Sequence, residues 1–121
     1  MAGAVATGKY RNVFAECGIP QEEIDKRVED TFQTMFHGSE EERIFHEVGD
    51  DMGYMEDTGN HDARTEGMSY GMMMCVQLDK KDEFDRLWKW SKTYMYMEEG
   101  WNAGYFAWSC QLDGTNNANE P

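Results

Sequence analysis

A chain of 121 residues has room for one modest hydrophobic core and not for two. Its 11 Lys and Arg against 24 Asp and Glu give a formal net charge of -13, which repels phosphate backbones and anionic surfaces and argues against nucleic acid or a membrane as partner. Aromatic residues at 13% separate it from disordered acidic tails, and the excess acid is compatible with a neutral ligand such as a sugar or with a plain role in solubility.

From Gly8 to Gly18 the apolar residues Tyr10, Val13, Phe14 and Cys17 fall on one face of a short predicted helix. A second helix opens at Pro20, carries Glu22 and Glu23 near its positive end, and ends at Gly38. Its apolar stripe is Ile24, Val28, Phe32, Met35 and Phe36. Residues 38–64, rich in Gly, Asp and Asn, read as a long structured loop, and no segment shows a strong strand period. Thr65 is a good N-cap for a third helix, GMSYGMMMCVQL, apolar or small on nearly every side and so expected to be packed all round. Gly67 and Gly71, four apart, would let another backbone come close. A fourth, amphipathic helix starts at Asp82, with Phe84, Leu87, Trp88, Ser91, Tyr94 and Met95 inward and Trp90 ambiguous. After it come an aromatic loop, GYFAWSC, and a turn, LDGT, in a polar tail. Buried helix followed by amphipathic helix predicts an all-α fold in two layers, inner helices covered by outer ones.

Cys17, Cys75 and Cys110 lack CxxC spacing, which indicates neither disulfide framework nor zinc site; beside apolar residues, all three read as buried reduced thiols. His37, His46 and His61 are too widely spaced for a local metal motif, and Asp50-Asp51 lacks the acidic spacing of a calcium loop, so no metal and no cofactor is expected. His61-Asp62 is a lone HD pair of the kind found in metal-dependent phosphohydrolases, a weak signal. No run approaches the roughly 18 apolar residues of a membrane span, and MAGAVATGKYRN lacks the basic leader of a signal peptide, so a cytoplasmic location is expected.

The chemistry concentrates at Glu66, in the first turn of the third helix. A general acid at neutral pH needs its proton held by desolvation or by a second carboxylate, whereas a helix N-terminus favours the anion. Tyr70 and the methionines offer an apolar wall, and Asp57 and Asp62 are the nearest acids in the chain. The residues alone therefore leave two readings of Glu66, a catalytic acid and a glutamate that caps a helix. Arg64 either orients an acid through a bidentate contact or faces solvent. Tyr105 and Phe106 either line a cleft beside Trp108 or pin their loop.

The run RTEGMSYGMMM, with GDDMGYMEDTGNHD before it and DKKDEFDRLWKW after it, resembles the N-terminal region of glycoside hydrolase family 8. Within the family it is nearest the branch that releases xylose from the reducing end of xylo-oligosaccharides. The resemblance runs from GKYRN to LDGT and implies an (α/α)6 barrel of twelve helices, of which residues 1–121 hold about four as the N-terminal part of a single catalytic domain. By position, Glu66 matches the proton donor to the departing glycosidic oxygen, and Trp108 matches an aromatic that stacks on a sugar ring near the cleavage point. The implied mechanism is inverting, with a second carboxylate activating water from the opposite side, typically about 6.5–9.5 Å away. That base falls beyond Pro121, and Asp113 is a turn residue rather than a substitute for it.

Three functions follow: a xylo-oligosaccharide hydrolase represented by its acid-bearing part, a non-catalytic sugar-binding piece using Trp108, and an endo-acting β-1,4-glycanase of the same family. Four helices cover an all-apolar helix only in part, so the isolated chain is expected to expose apolar surface and self-associate.

Overall fold

The structure, a computed structural model, describes residues 4–116; residues 1–3 and the end of the polar tail, residues 117–121, lie outside the described residues. The chain divides into two compact units, Met1–Arg43 and Ile44–Pro121.

In the first unit the helix expected over residues 8–18 is a single turn, α2 (Val13–Glu16), and a further turn, α1 (Ala4–Thr7), precedes that segment. Gly8, at φ +63°, sits in the left-handed region between them. The Asn12 side chain then opens α2 by accepting the Ala15 N–H at 3.1 Å. Val13, Phe14 and Cys17 are exposed on this short turn, so Cys17 is not the buried thiol its neighbours suggested. α3 (Gln21–His37) has the bounds that Pro20 and Gly38 set. Phe32 and Phe36 are its buried residues, stacked at 4.1 Å, while Val28, expected in the same stripe, is exposed.

The second unit is not purely helical. Residues read as a loop form a hairpin, β1 (Phe45–Val48) and β2 (Met52–Met55), antiparallel in the register Phe45↔Met55 and Val48↔Met52. A third strand, β3 (Asp62–Arg64), runs straight into α4 (Thr65–Leu78). α5 (Lys81–Trp90) follows and continues as a π-helical turn over Ser91–Met95. β4 (Ser109–Gln111) then pairs antiparallel with β3. The LDGT segment is the turn the sequence announced: Asp113 Oδ1 accepts the Thr115 N–H at 2.9 Å.

α4, α5 and the hairpin strand β2 pack on one another around Phe45, Met55, Met68, Cys75, Leu87, Trp90 and Met95, all buried. Burial pushes the Cys75 thiol up to about 12 and the Cys110 thiol up to about 11, so both stay protonated at neutral pH. In α5 the inward tryptophan is Trp90, 1% exposed, and not Trp88, 47% exposed. Both fit a helical stripe through Leu87; the choice is made by Tyr54 and Tyr94, whose rings lie 5.6 and 5.2 Å from Trp90. α4 buries Met68, Gly71 and Cys75 on one side. Its other side carries Tyr70, Met73 and Val76 at 61, 61 and 64% exposure, so the helix is covered on one face rather than all round.

The two glycines of α4 differ in what they permit. A Cβ at Gly71 would lie 2.7 Å from Met55 Cγ and 3.1 Å from Leu87 Cδ1, whereas one at Gly67 would make an ordinary 3.7 Å contact with Met55 Cβ. Gly71→Val is therefore expected to lower stability by about 1–3 kcal/mol through overpacking. Gly67→Ala is expected to hold stability or raise it by up to about 1 kcal/mol through helix propensity. Urea unfolding of the two variants checks this; equal midpoints would show that α4 does not need the close approach at Gly71.

Candidate active site

The pairing of β3 with β4 brings residues 62–64 beside residues 109–111, in the register Asp62↔Gln111, Ala63↔Cys110 and Arg64↔Ser109. One further backbone bond extends it: the Thr65 N–H donates to the Trp108 carbonyl at 3.1 Å. Glu66 is the next residue on α4, so this bond sets the backbone of Trp108 beside the residue that precedes Glu66.

Glu66 lies in the first turn of α4, where the unpaired N–H groups of the helix favour an anion. The Thr65 hydroxyl donates to its Oε2 at 3.3 Å, and the Ser69 hydroxyl donates to its backbone carbonyl at 2.9 Å. Its side chain is exposed. At a helical advance of about 100° per residue it shares a face with Tyr70, Met73 and Val76. The acid thus stands at the head of the open apolar stripe, and any element laid on that stripe would withdraw it from water. Trp108 is 42% exposed.

Arg64 connects the two. Its Nε donates to Asp62 Oδ1 at 3.0 Å and lies 3.3 Å from Asp57 Oδ2, and its guanidinium sits over the Trp108 ring, 5.4 Å from the centroid. Hydrogen bonding to Asp62 raises the Arg64 pKa, with further support from the charges of Asp62, Asp57 and Glu66, so the cation is permanent. Arg64 is therefore neither solvent-facing nor bonded to Glu66; it is held by two other carboxylates. Asp62 is buried and also accepts the Ser109 hydroxyl through Oδ2 at 2.9 Å. Asp57 closes a turn, its Oδ1 accepting the Gly59 and Asn60 N–H groups at 2.9 and 3.1 Å. Hydrogen bonding from Asn60, then from the backbone of the turn and the charge of Arg64, holds the Asp57 carboxyl below its usual range. The nearest acids in sequence are both turned onto Arg64 and do not serve as a partner for Glu66.

Sequence spacing also hid a cluster on Glu56. His61 Nδ1 lies 2.8 Å from Oε1 and His46 Nε2 lies 2.9 Å from Oε2, the latter off the hydrogen-bond direction. The hairpin makes this meeting, by setting His46 opposite Tyr54, two residues from Glu56. His61 and Asp62 consequently have different partners, and the HD pair does not converge on a shared site. Among the described residues, no three His, Cys, Asp or Glu are grouped to hold a metal ion. Phe106 pins its loop, 5.9 Å from Trp88 and 5.2 Å from Tyr96, while Tyr105 is exposed. Among the described residues, no helix is long and apolar enough to cross a membrane.

The site thus has a carboxylate in the first turn of α4, an exposed indole whose backbone is bonded to the residue before that carboxylate, and a helix whose outer face is open and apolar. Residues 49–120 match glycosyl hydrolases family 8, and the chain belongs to that family. It is 60% identical over 116 residues to a reducing end xylose-releasing exo-oligoxylanase of Halalkalibacterium halodurans, covering 96% of this chain and 30% of that protein. It is 46% identical over 123 residues to the protein of the same name from Bifidobacterium adolescentis, covering 100% of this chain and 32% of that one. A crystal structure of a reducing end xylose-releasing exo-oligoxylanase superposes with TM-score 0.90 at 60% identity, covering 98% of this chain and 31% of that one. A Paenibacillus barcinonensis structure complexed with xylose superposes with TM-score 0.91 at 54% identity, covering 99% and 32%. The chain thus spans about a third of the length of these relatives. Family and neighbours imply an (α/α)6 barrel fold, to which this stretch contributes strands as well as helices.

The Asp57 turn gives a pH signature. Its carboxyl has a lower pKa folded than unfolded, where the value is about 3.9. The unfolded chain therefore binds more protons, so this stabilisation is present above about pH 4 and is lost as pH falls through the folded value. Asp57→Asn keeps the turn's acceptor and removes the charge. Its unfolding midpoint is expected to decline less steeply than that of the unsubstituted chain between about pH 5 and pH 3. Parallel declines would show that Asp57 is not held by its neighbours.

Proposed function

We propose that these residues form the acid-bearing N-terminal portion of a single catalytic domain that cleaves xylo-oligosaccharides and releases xylose from the reducing end. The observation that carries the reading is the β3–β4 edge, where the residue preceding Glu66 is bonded to the Trp108 backbone in a chain of family 8. The relatives, reducing end xylose-releasing exo-oligoxylanases, suggest the substrate class and the end from which xylose leaves.

In this reading Trp108 offers a flat apolar plate to the C–H face of a xylose ring. Glu66, protonated, lies beside the departing glycosidic oxygen and donates its proton as the C–O bond breaks, so that the sugar leaves as an alcohol rather than an alkoxide. The open stripe of Tyr70, Met73 and Val76 is the wall against which the remainder of the domain closes, and closure supplies the desolvation that a carboxylic acid needs to keep its proton near neutral pH. A carboxylate outside residues 1–121 activates water on the opposite face of the ring, and the anomeric centre inverts. The substrate is a neutral oligosaccharide, in keeping with a formal net charge of -13.

The commitment of Asp57 and Asp62 to Arg64 favours a corollary, that residues 1–121 by themselves bind a xylo-oligosaccharide without turning it over. Endo-action on a β-1,4-glycan is the other outcome, separated by products from intact polymer against short oligomers. The full-length protein is expected to release xylose from xylotriose with inverted configuration, read by proton NMR of the first-formed anomer. Glu66→Gln should lower kcat by about 10²–10⁴ with little change in KM. Trp108→Ala should raise KM about tenfold, a loss of about 1.4 kcal/mol. An unchanged rate for Glu66→Gln would remove the assignment.

A further inference from the structure

The geometry points to Arg64 as a positioning residue for the sugar platform: gripped by Asp62 and Asp57, it covers one face of Trp108, fixes the plane of the ring and leaves the opposite face for substrate. This rests on the reading of Trp108 as a substrate-binding residue and adds the device that sets its orientation.

The backbone of Trp108 is tied on both sides, by the Ala107 N–H donating to the Met95 carbonyl at 2.7 Å before it and by the Thr65 N–H on its own carbonyl. Backbone anchoring leaves the indole free to turn about its side-chain bonds, and an exposed platform that turns must be immobilised each time a sugar binds, at a cost in affinity. The Arg64 guanidinium, 5.4 Å from the ring centroid, supplies the missing constraint, because a planar cation over an indole is attracted to the ring face. A guanidinium positions a ring only if it is itself held. Asp62 does this from a buried site at 3.0 Å, and Asp57 adds a contact at 3.3 Å. Asp62 is in turn bonded to the Ser109 hydroxyl at 2.9 Å, so one carboxylate links the clamp on the ring to the strand that carries it.

The test is a double-substitution cycle in the full-length protein, with KM and kcat for xylotriose and the unfolding midpoint measured together. Arg64→Gln is expected to raise KM about three- to tenfold with a smaller change in kcat. Arg64→Lys, which keeps the charge without the planar stack, should fall between Arg64→Gln and the unsubstituted enzyme. In a Trp108→Ala background, Arg64→Gln should change KM by less than about twofold, because the ring it orients is gone. Additive effects on KM, or a KM unchanged by Arg64→Gln, overturn the inference. If Arg64→Gln does not fold, Ser109→Ala takes its place, with the same loss of effect expected once Trp108 is absent. Glu66→Gln separates the two proposals: a lost rate together with additive Arg64 and Trp108 effects removes only the positioning role, and a retained rate removes the acid while the cycle still reports the coupling.

Discussion

A single antiparallel pairing organises the chemistry of this chain. β3 and β4 are three residues each, too short to be stable as an isolated ribbon, yet the ladder they form and the Thr65 bond that extends it decide which side chains meet. β3 runs without a break into α4, so the strand pairing also fixes where the helix begins and where its first-turn carboxylate stands. β4 follows directly on the aromatic loop, so the same pairing fixes the backbone of Trp108. Slipping the register by one residue would turn Asp62 and Arg64 to the other side of the ribbon and separate Arg64 from Trp108.

α4 transmits this to the core. Its inner face holds Met68, Gly71 and Cys75 against β2 and α5, and Gly71 is the point at which a side chain would not fit. Its outer face is equally apolar and uncovered, with the acid at its head. The helix is thus anchored by one side and offers the other.

Helix boundaries were legible where the chain marks them chemically: Pro20 and Gly38 delimit α3, while Thr65, read as the cap of α4, is its first residue and Arg64 holds the cap position. The family, too, was legible in the residues around Glu66. The strands were not. FHEV and MGYM are four residues each, and the GDD between them reads as a loop as readily as a hairpin turn. β3 exists only because β4 arrives far along the chain, a contact that no local period encodes. Had residues 62–64 been read as extended, Asp62 and Arg64 would have been placed on one face by the two-residue period, and their pairing would have followed. The same period, applied to Tyr54 and Glu56, would have set Glu56 near His46. The Trp88 and Trp90 exchange is of another kind: both fit the helical stripe, and only the rings of Tyr54 and Tyr94 choose between them.

The account stands on Glu66 giving its proton to the departing oxygen, and the dependence of rate on the leaving group tests this most directly. Fluoride departs without a proton, whereas a xylose alcohol does not. The full-length protein carrying Glu66→Gln should therefore lose about 10²–10⁴ in kcat on xylotriose while hydrolysing β-xylobiosyl fluoride within about tenfold of the unsubstituted enzyme. Equal losses on the two substrates would assign Glu66 to binding or structure and contradict the account.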